Sequence, residues 1–262
     1  MITIRSEKEL AFLEEASLVV LETLDLIEKA VTPGVTTEEL DRLAEAEIRR
    51  RGARPAFLGY RGYPKTLCTS VNDEVVHGIP GKRTLKEGDI VGVDCGAIVG
   101  GYFGDASRTM PVGTIGAEKA ELLEVTRKGL EAGIAAARPG NRVSDIGAAV
   151  EAVAIAHGYG VVRDFVGHGV GTALHEEPQI PNYGPGGRGS LLRAGMVIAI
   201  EPMFNLGRAE VSTDKDGWTV RTRDGSASAH FENTVAIEAD GAVVLGLGRL
   251  SRRPERSAVV AS

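Results

Sequence analysis

The sequence predicts an α+β fold of two similar αα-β halves packed about a pseudo-twofold axis. Three observations carry this. Amphipathic helical segments come in two pairs. The second pair copies the first: Pro33, Gly34, Glu39, Leu40 and Gly52 recur 106 residues later as Pro139, Gly140, Asp145, Ile146 and Gly158. Each pair leads to a short apolar strand ending in an acid. LKEGDIVGVD from Leu85 matches LRAGMVIAIE from Leu192 at an offset of 107, so Asp94 has a twin in Glu201. Two copies of a unit are too few for a solenoid.

The elements follow in order. Leu10, Leu13, Ser17, Val20, Leu24 and Ile27 sit at helical spacing among Glu and Lys, which predicts an amphipathic helix over residues 6–31. Thr32-Pro33-Gly34 stops it. Thr36 and Glu39 form a capping-box pattern for a second helix, closed at Gly52. A loop rich in Gly, Tyr and Pro, residues 57–64, precedes an apolar segment that reaches His77. A third helix is expected over residues 117–138, and a fourth, capped by Ser144 or Asn141, runs to Gly158. Residues 182–190 read as a loop. Residues 218–235 read as a hairpin about Asp224-Gly225 whose second strand carries Glu232. From Arg249 the tail is polar and arginine-rich, and fraying is expected there.

Between the helix pairs lies IVGVDCGAIVGGYFGDASRT, from Ile90 to Thr109. Ile90-Val91-Gly92-Val93 is β-branched and reads as a buried strand. A two-residue turn at Val99-Gly100 would set Asp94 directly opposite Asp105. Two buried carboxylates so placed must share a proton or hold cations. The flanking strand is too apolar for an exposed ribbon with solvated acids.

Composition bounds the function. The 262 residues, 43% of them apolar, suffice for one large domain or two fused halves. A net charge of −6 argues against a broad nucleic-acid-binding face. No apolar run is long enough for a membrane span, and the N-terminus lacks the apolar core of a secretory signal. Two cysteines, Cys68 and Cys95, make no disulfide framework, which fits a reduced, cytoplasmic location.

FVGHGVGTALHEEP, from Phe165, adds His168 and His175 to the acids. Asp94, Asp105, His168, Glu201 and Glu232 make a mixed oxygen and nitrogen donor set suited to two divalent transition metals. A lone histidine is more often a core or surface residue, and His157, near a helix end, is read that way.

These motifs, with GYRGYPKTLCTSVNDEVVHGIP, IAIEPM and WTVRTRDGSASAHFENT, occur in an order and spacing that resembles type I methionine aminopeptidases, from Ile4 to about Leu247. The resemblance implies the pita-bread fold, with helices outside a curved, mostly antiparallel sheet. It implies a single catalytic domain over residues 1–262, with an internal repeat of residues 6–112 and 117–248. It implies removal of the N-terminal methionine from nascent or newly made proteins, with a small second residue preferred. The five donors become the ligands of two divalent metals (cobalt, manganese, iron or zinc), with Asp105 and Glu232 bridging. Glu201 would also take a proton from the attacking water. His175 would hydrogen-bond the developing oxyanion, and His77 would contact the amide nitrogen of the second residue. The substrate's free α-amino group would bind near the metals and Asp94. Phe57, Tyr60, Tyr63, Cys68, Leu174 and Trp218 would line the methionine pocket, beside His77 and His175. A monovalent cation near Asn72, Glu74 and Ser228 is a further expectation, as are a monomer and transient contact with ribosomes.

The chain departs from the family pattern at three places. Phe57 and Leu174 stand where Cys and Phe are common, and His230 stands where Gln is usual. On one strand His230 would share a face with Glu232; hydrogen bonding within the sheet is the preferred role, approach to the metals the other. Two alternatives keep the fold. An Xaa-Pro peptidase usually carries an additional N-terminal domain, for which this chain has no room. A non-catalytic binding protein usually loses metal ligands, all five of which are present. A plain α/β binding protein with solvated acids is disfavoured by the convergence of the twin strand acids with the two histidines.

Overall fold

The computed structural model describes residues 2–248; the tail from Arg249 lies outside the described residues. Four helices form, α1 (Glu7–Ala30), α2 (Thr37–Arg50), α3 (Ala117–Ala136) and α4 (Val143–Ala156). Capping boxes Ser6/Glu9 and Thr36/Glu39 start α1 and α2, each contributing about 1 kcal/mol. The cap of α4 is neither Ser144 nor Asn141. Arg142 takes that position, and the Asp145 carboxylate accepts its N–H at 2.6 Å. Asp145 is the counterpart of Glu39, so the reciprocal half of the box survives without a capping hydroxyl. α3 ends two residues before the expected Arg138.

A nine-stranded sheet forms the centre, and every pairing in it is antiparallel. Its main path runs Arg54–Pro55, Ile90–Val99, Tyr102–Pro111, Glu232–Glu238, Val197–Ile200, Gly167–Gly169, Glu176–Ile180. Strand periodicity sorts the side chains. Val91, Val93, Cys95 and Ala97 join Val20, Leu24 and Ile27 of α1 in one core. Ile198, Ile200, Val235 and Ile237 join Leu122 and Val125 of α3 and Ile146 and Val150 of α4 in the other. Fully burying each of the Val, Leu and Ile side chains here is worth about 1.5–3 kcal/mol. The acids alternate with these residues and therefore face away from the helices.

The two halves repeat at the level of hydrogen bonds. Gly34 N–H donates to Leu85 O and Gly140 N–H to Leu192 O; Leu85 N–H donates to Val35 O and Leu192 N–H to Asn141 O. The isolated bridges Thr36↔Thr84 and Arg142↔Leu191 are the same bridge in each half.

Two strand expectations are corrected. The hairpin turns at Gly100-Gly101, which have φ of 57° and 88°, and Val99 faces Tyr102. A two-residue turn with φ positive at both central positions takes both glycines, so the register moves by two. Asp94 then faces Ser107 and Asp105 faces Gly96. The acids share a face as diagonal neighbours rather than as an opposed pair. The expected hairpin about Asp224-Gly225 is a turn between different sheets. Val220–Thr222 pairs with Val211–Thr213 and Glu74–Val76, whereas Ser228–His230 pairs with Met203–Asn205. Phe231 separates that strand from Glu232–Glu238, so His230 and Glu232 do not lie on one strand.

Candidate metal centre and substrate cavity

The five donors come from five consecutive positions across the central sheet. Asp94 and Glu232 are both partners of Ser107, one from each side. Asn233 pairs with Ile200, and continuing that register by one residue brings Glu201 opposite Glu232. His168 sits on the next strand outward. Antiparallel pairing places opposed residues on one face, which is how positions far apart in sequence converge.

The chemistry of this cluster calls for cations. His168 Nδ1–H donates to the Gly169 carbonyl at 2.9 Å, so Nε2 presents a lone pair. That nitrogen lies 3.5 Å from Glu201 Oε1 and 3.8 Å from Asp105 Oδ2. Burial holds the imidazole below its ordinary pKa, so it is neutral and carries no proton to offer them. Asp94 Oδ1, Asp105 Oδ1 and Glu232 Oε1 are buried without a hydrogen-bond partner. Ligand atoms of Asp105, His168 and Glu232 lie within 4.8 Å of one another. Burial, then mutual repulsion, pushes Asp105, Glu201 and Glu232 well above the usual carboxylate range, and burial raises Asp94 to about 7. Unpartnered acceptors and a lone pair turned on a common point fit a divalent metal site.

Above the donors opens a cavity of about 140 Å³. Asp94, Asp105, His168, Glu201 and Glu232 line it, as do His77 and His175 and the predicted pocket residues Phe57, Tyr60, Tyr63, Cys68, Leu174 and Trp218. Tyr63 meets Trp218 edge-on, with ring centroids 5.0 Å apart, and its hydroxyl is within 3.0 Å of the Leu67 and Gly78 carbonyls. Burial, then the neighbouring Asp94, pushes the Cys68 thiol well above its ordinary pKa, so it stays protonated. His175 Nδ1 lies 2.9 Å from the Tyr60 hydroxyl, and its ring centroid is 4.2 Å from that of His168. His77, at φ 61°, packs edge-on against Phe165. Burial lowers both histidines to about 4, helped by His175 at His77 and by His168 at His175.

One residue was not anticipated. Arg61 also lines the cavity, its guanidinium 5.3 Å from the Tyr60 ring centroid. The glycines on either side of Tyr60-Arg61 were its only signal. His230 does not use its ring within the sheet. Its backbone N–H and C=O both bond the Thr109 hydroxyl, while the buried Nε2 has no hydrogen-bond partner and lies 3.8 Å from Glu201 Oε2. Of the two roles weighed for His230, this geometry favours approach to the donor cluster. His157 caps the C-terminus of α4, as a helix-end residue should. At the expected monovalent-cation position, the Asn72 carbonyl accepts the Ser228 N–H at 2.9 Å.

Residues 11–239 match the model of metallopeptidase family M24. The chain belongs to that family. It is 51% identical over 248 residues to a methionine aminopeptidase of Clostridium acetobutylicum, covering 94% of this chain and 99% of the relative. Its backbone matches the crystal structure of methionine aminopeptidase from Rickettsia prowazekii with a TM-score of 0.93 at 44% identity, over 94% of this chain and all of that one. A prolidase from Pyrococcus furiosus is more distant, with a TM-score of 0.74 at 25% identity, and this chain spans 66% of it. As an M24 metallopeptidase the chain binds divalent metal, and the donor cluster at the cavity floor is the candidate place.

Proposed function

We infer that the chain removes the N-terminal methionine from newly made polypeptides by metal-dependent hydrolysis of the first peptide bond, preferring a small second residue. The observation that carries this reading is the convergence of unpartnered donors on the floor of an aromatic cavity, in a chain half identical to a methionine aminopeptidase.

Asp94, Asp105, His168, Glu201 and Glu232 would hold two divalent ions. When bound, such ions acidify water and polarise the scissile carbonyl. The side chains of this chain supply the rest. Glu201 takes the proton of the attacking water. With the Tyr60 hydroxyl donating to Nδ1, His175 carries its proton on Nε2 and offers it to the carbonyl oxygen as negative charge develops. His77, neutral at pH 7, contacts the amide nitrogen of the second residue and assists its departure. Asp94 attracts the free α-amino group, which restricts cleavage to the chain terminus. Phe57, Tyr60, Tyr63, Cys68, Leu174 and Trp218 surround the methionine side chain, where a thioether gains dispersion and sulfur–aromatic contact.

The proposed setting is the cytoplasm, which suits two free buried thiols, with the enzyme acting as a monomer that touches the ribosome transiently. Among the described residues no helix is long and apolar enough to cross a membrane. The Glu232→Ala variant tests the site. It should lose methionine release and bind metal more weakly; an active, fully metallated variant contradicts the assignment.

A further inference from the structure

The loop that brings Leu174 and His175 to the cavity is closed by a single carboxylate. Glu176 Oε1 accepts from Thr172 N–H at 2.8 Å, from Ala173 N–H at 3.1 Å and from the Thr172 hydroxyl at 3.3 Å. Its other oxygen pairs with Nη2 of Arg5, a residue more than 160 positions earlier in the chain. The Arg5 side chain is only 5% exposed, its Nη1 reaches Glu9 Oε1 at 3.4 Å, and its backbone N–H donates to Gly195 O at 2.8 Å. Gly171 makes room for this pair. A Cβ there would collide with the Arg5 guanidinium and approach Glu176 Oε1 to 2.6 Å. On the far side of the loop start, Phe103 N–H donates to the Gly171 carbonyl at 2.9 Å.

We propose that Arg5 and Glu176 are positioning residues: the pair they form, with Arg5 buried, locks residues 171–176 so that Leu174 and His175 face the substrate. Neither touches the reacting atoms. The carboxylate satisfies the loop amides, and the buried guanidinium holds the carboxylate in place through a charge-assisted pair. Without Arg5 the carboxylate turns toward water, the amides open, and His175 loses its fixed distance to the scissile carbonyl. The role of His175 here rests on the function proposed above.

The test uses the full metal-loaded chain with Arg5→Met, which keeps an apolar stem but not the charged head, and Arg5→Lys, which keeps charge. Hydrogen exchange at the Thr172 and Ala173 amides should accelerate about tenfold or more in Arg5→Met and by less than about threefold in Arg5→Lys. The kcat for Met-Ala-Ser should fall about tenfold in Arg5→Met, because small misplacements are costly in catalysis, with partial recovery in Arg5→Lys. Mn²⁺ affinity by calorimetry should stay within about threefold, since four of the five donors stand on other strands. Unchanged exchange and kcat in Arg5→Met would overturn the proposal, and so would a loss of Mn²⁺ affinity equal to the loss of kcat. Should Arg5→Met fail to fold, Glu176→Gln carries the same expectations, because it keeps an acceptor and removes the ion pair. If the unaltered chain releases no methionine, the functional reading fails, and amide exchange alone decides on the loop lock.

Discussion

The Tyr60 hydroxyl and His175 Nδ1 are 2.9 Å apart, and their rings stack with centroids 5.5 Å apart. A residue of the proposed methionine pocket thereby holds in place the ring of a residue assigned to the carbonyl. The Tyr60→Phe variant keeps the ring and loses the hydroxyl. Its kcat should fall about three- to tenfold, the worth of one modest hydrogen bond, with KM changing less. Steady-state kinetics on Met-Ala-Ser checks this.

The metal-free protein should lose stability as pH rises above about 6.5. Asp94, raised to about 7, and Asp105, Glu201 and Glu232, pushed well above the usual carboxylate range, keep their protons in the fold while the unfolded chain gives them up near pH 4. Their contribution is present at low pH and is lost as pH rises through the folded pKa values. His77, His175 and His230, depressed to about 4, 4 and 3, act in the opposite sense, but only below the ordinary histidine pKa of about 6.5. Above that pH the carboxyls act alone. Melting temperatures of metal-free protein should therefore fall as pH rises from about 6.5 through about 7, and the gain on adding Mn²⁺ should be larger on the alkaline side of that range than on the acid side.

Phe57 and Leu174 belong to one buried cluster with Tyr63 and Cys68, and both line the cavity. Each departs from the family pattern, one toward a larger side chain and one toward a smaller. Leu174→Phe alone should overfill the pocket and raise KM, and Phe57→Cys alone should loosen it. The double variant should recover most of the loss, with a coupling of about 1 kcal/mol or more in kcat/KM. Additive effects in a double-mutant cycle would show that the two positions do not share space.

Much of this architecture was legible because local signals agreed. Thr36/Glu39, Pro33-Gly34 and their echoes 106 residues later mark the helix pairs, and strand alternation separates Val91, Val93 and Cys95 from Asp94. The hairpin register was not legible. One Gly satisfies a two-residue turn as readily on paper as two, and the difference moved Asp105 from beside Asp94 to beside Gly96. Pairings across sequence distance were equally hidden. Ser228–His230 chooses Met203–Asn205 as its partner, which turns the His230 ring toward Glu201. Nothing local in either segment encodes that choice, nor the meeting of Arg5 with Glu176.

The most direct measurement is methionine release from Met-Ala-Ser and Met-Lys-Ser by metal-stripped protein titrated with Mn²⁺ or Co²⁺. Release from the first peptide only, and only with metal present, is the result expected of a cavity with a metal floor, a methionine pocket and a preference for small second residues. No release with any divalent metal, from protein shown to be folded, would contradict the account and leave the intact donor set to a non-catalytic role.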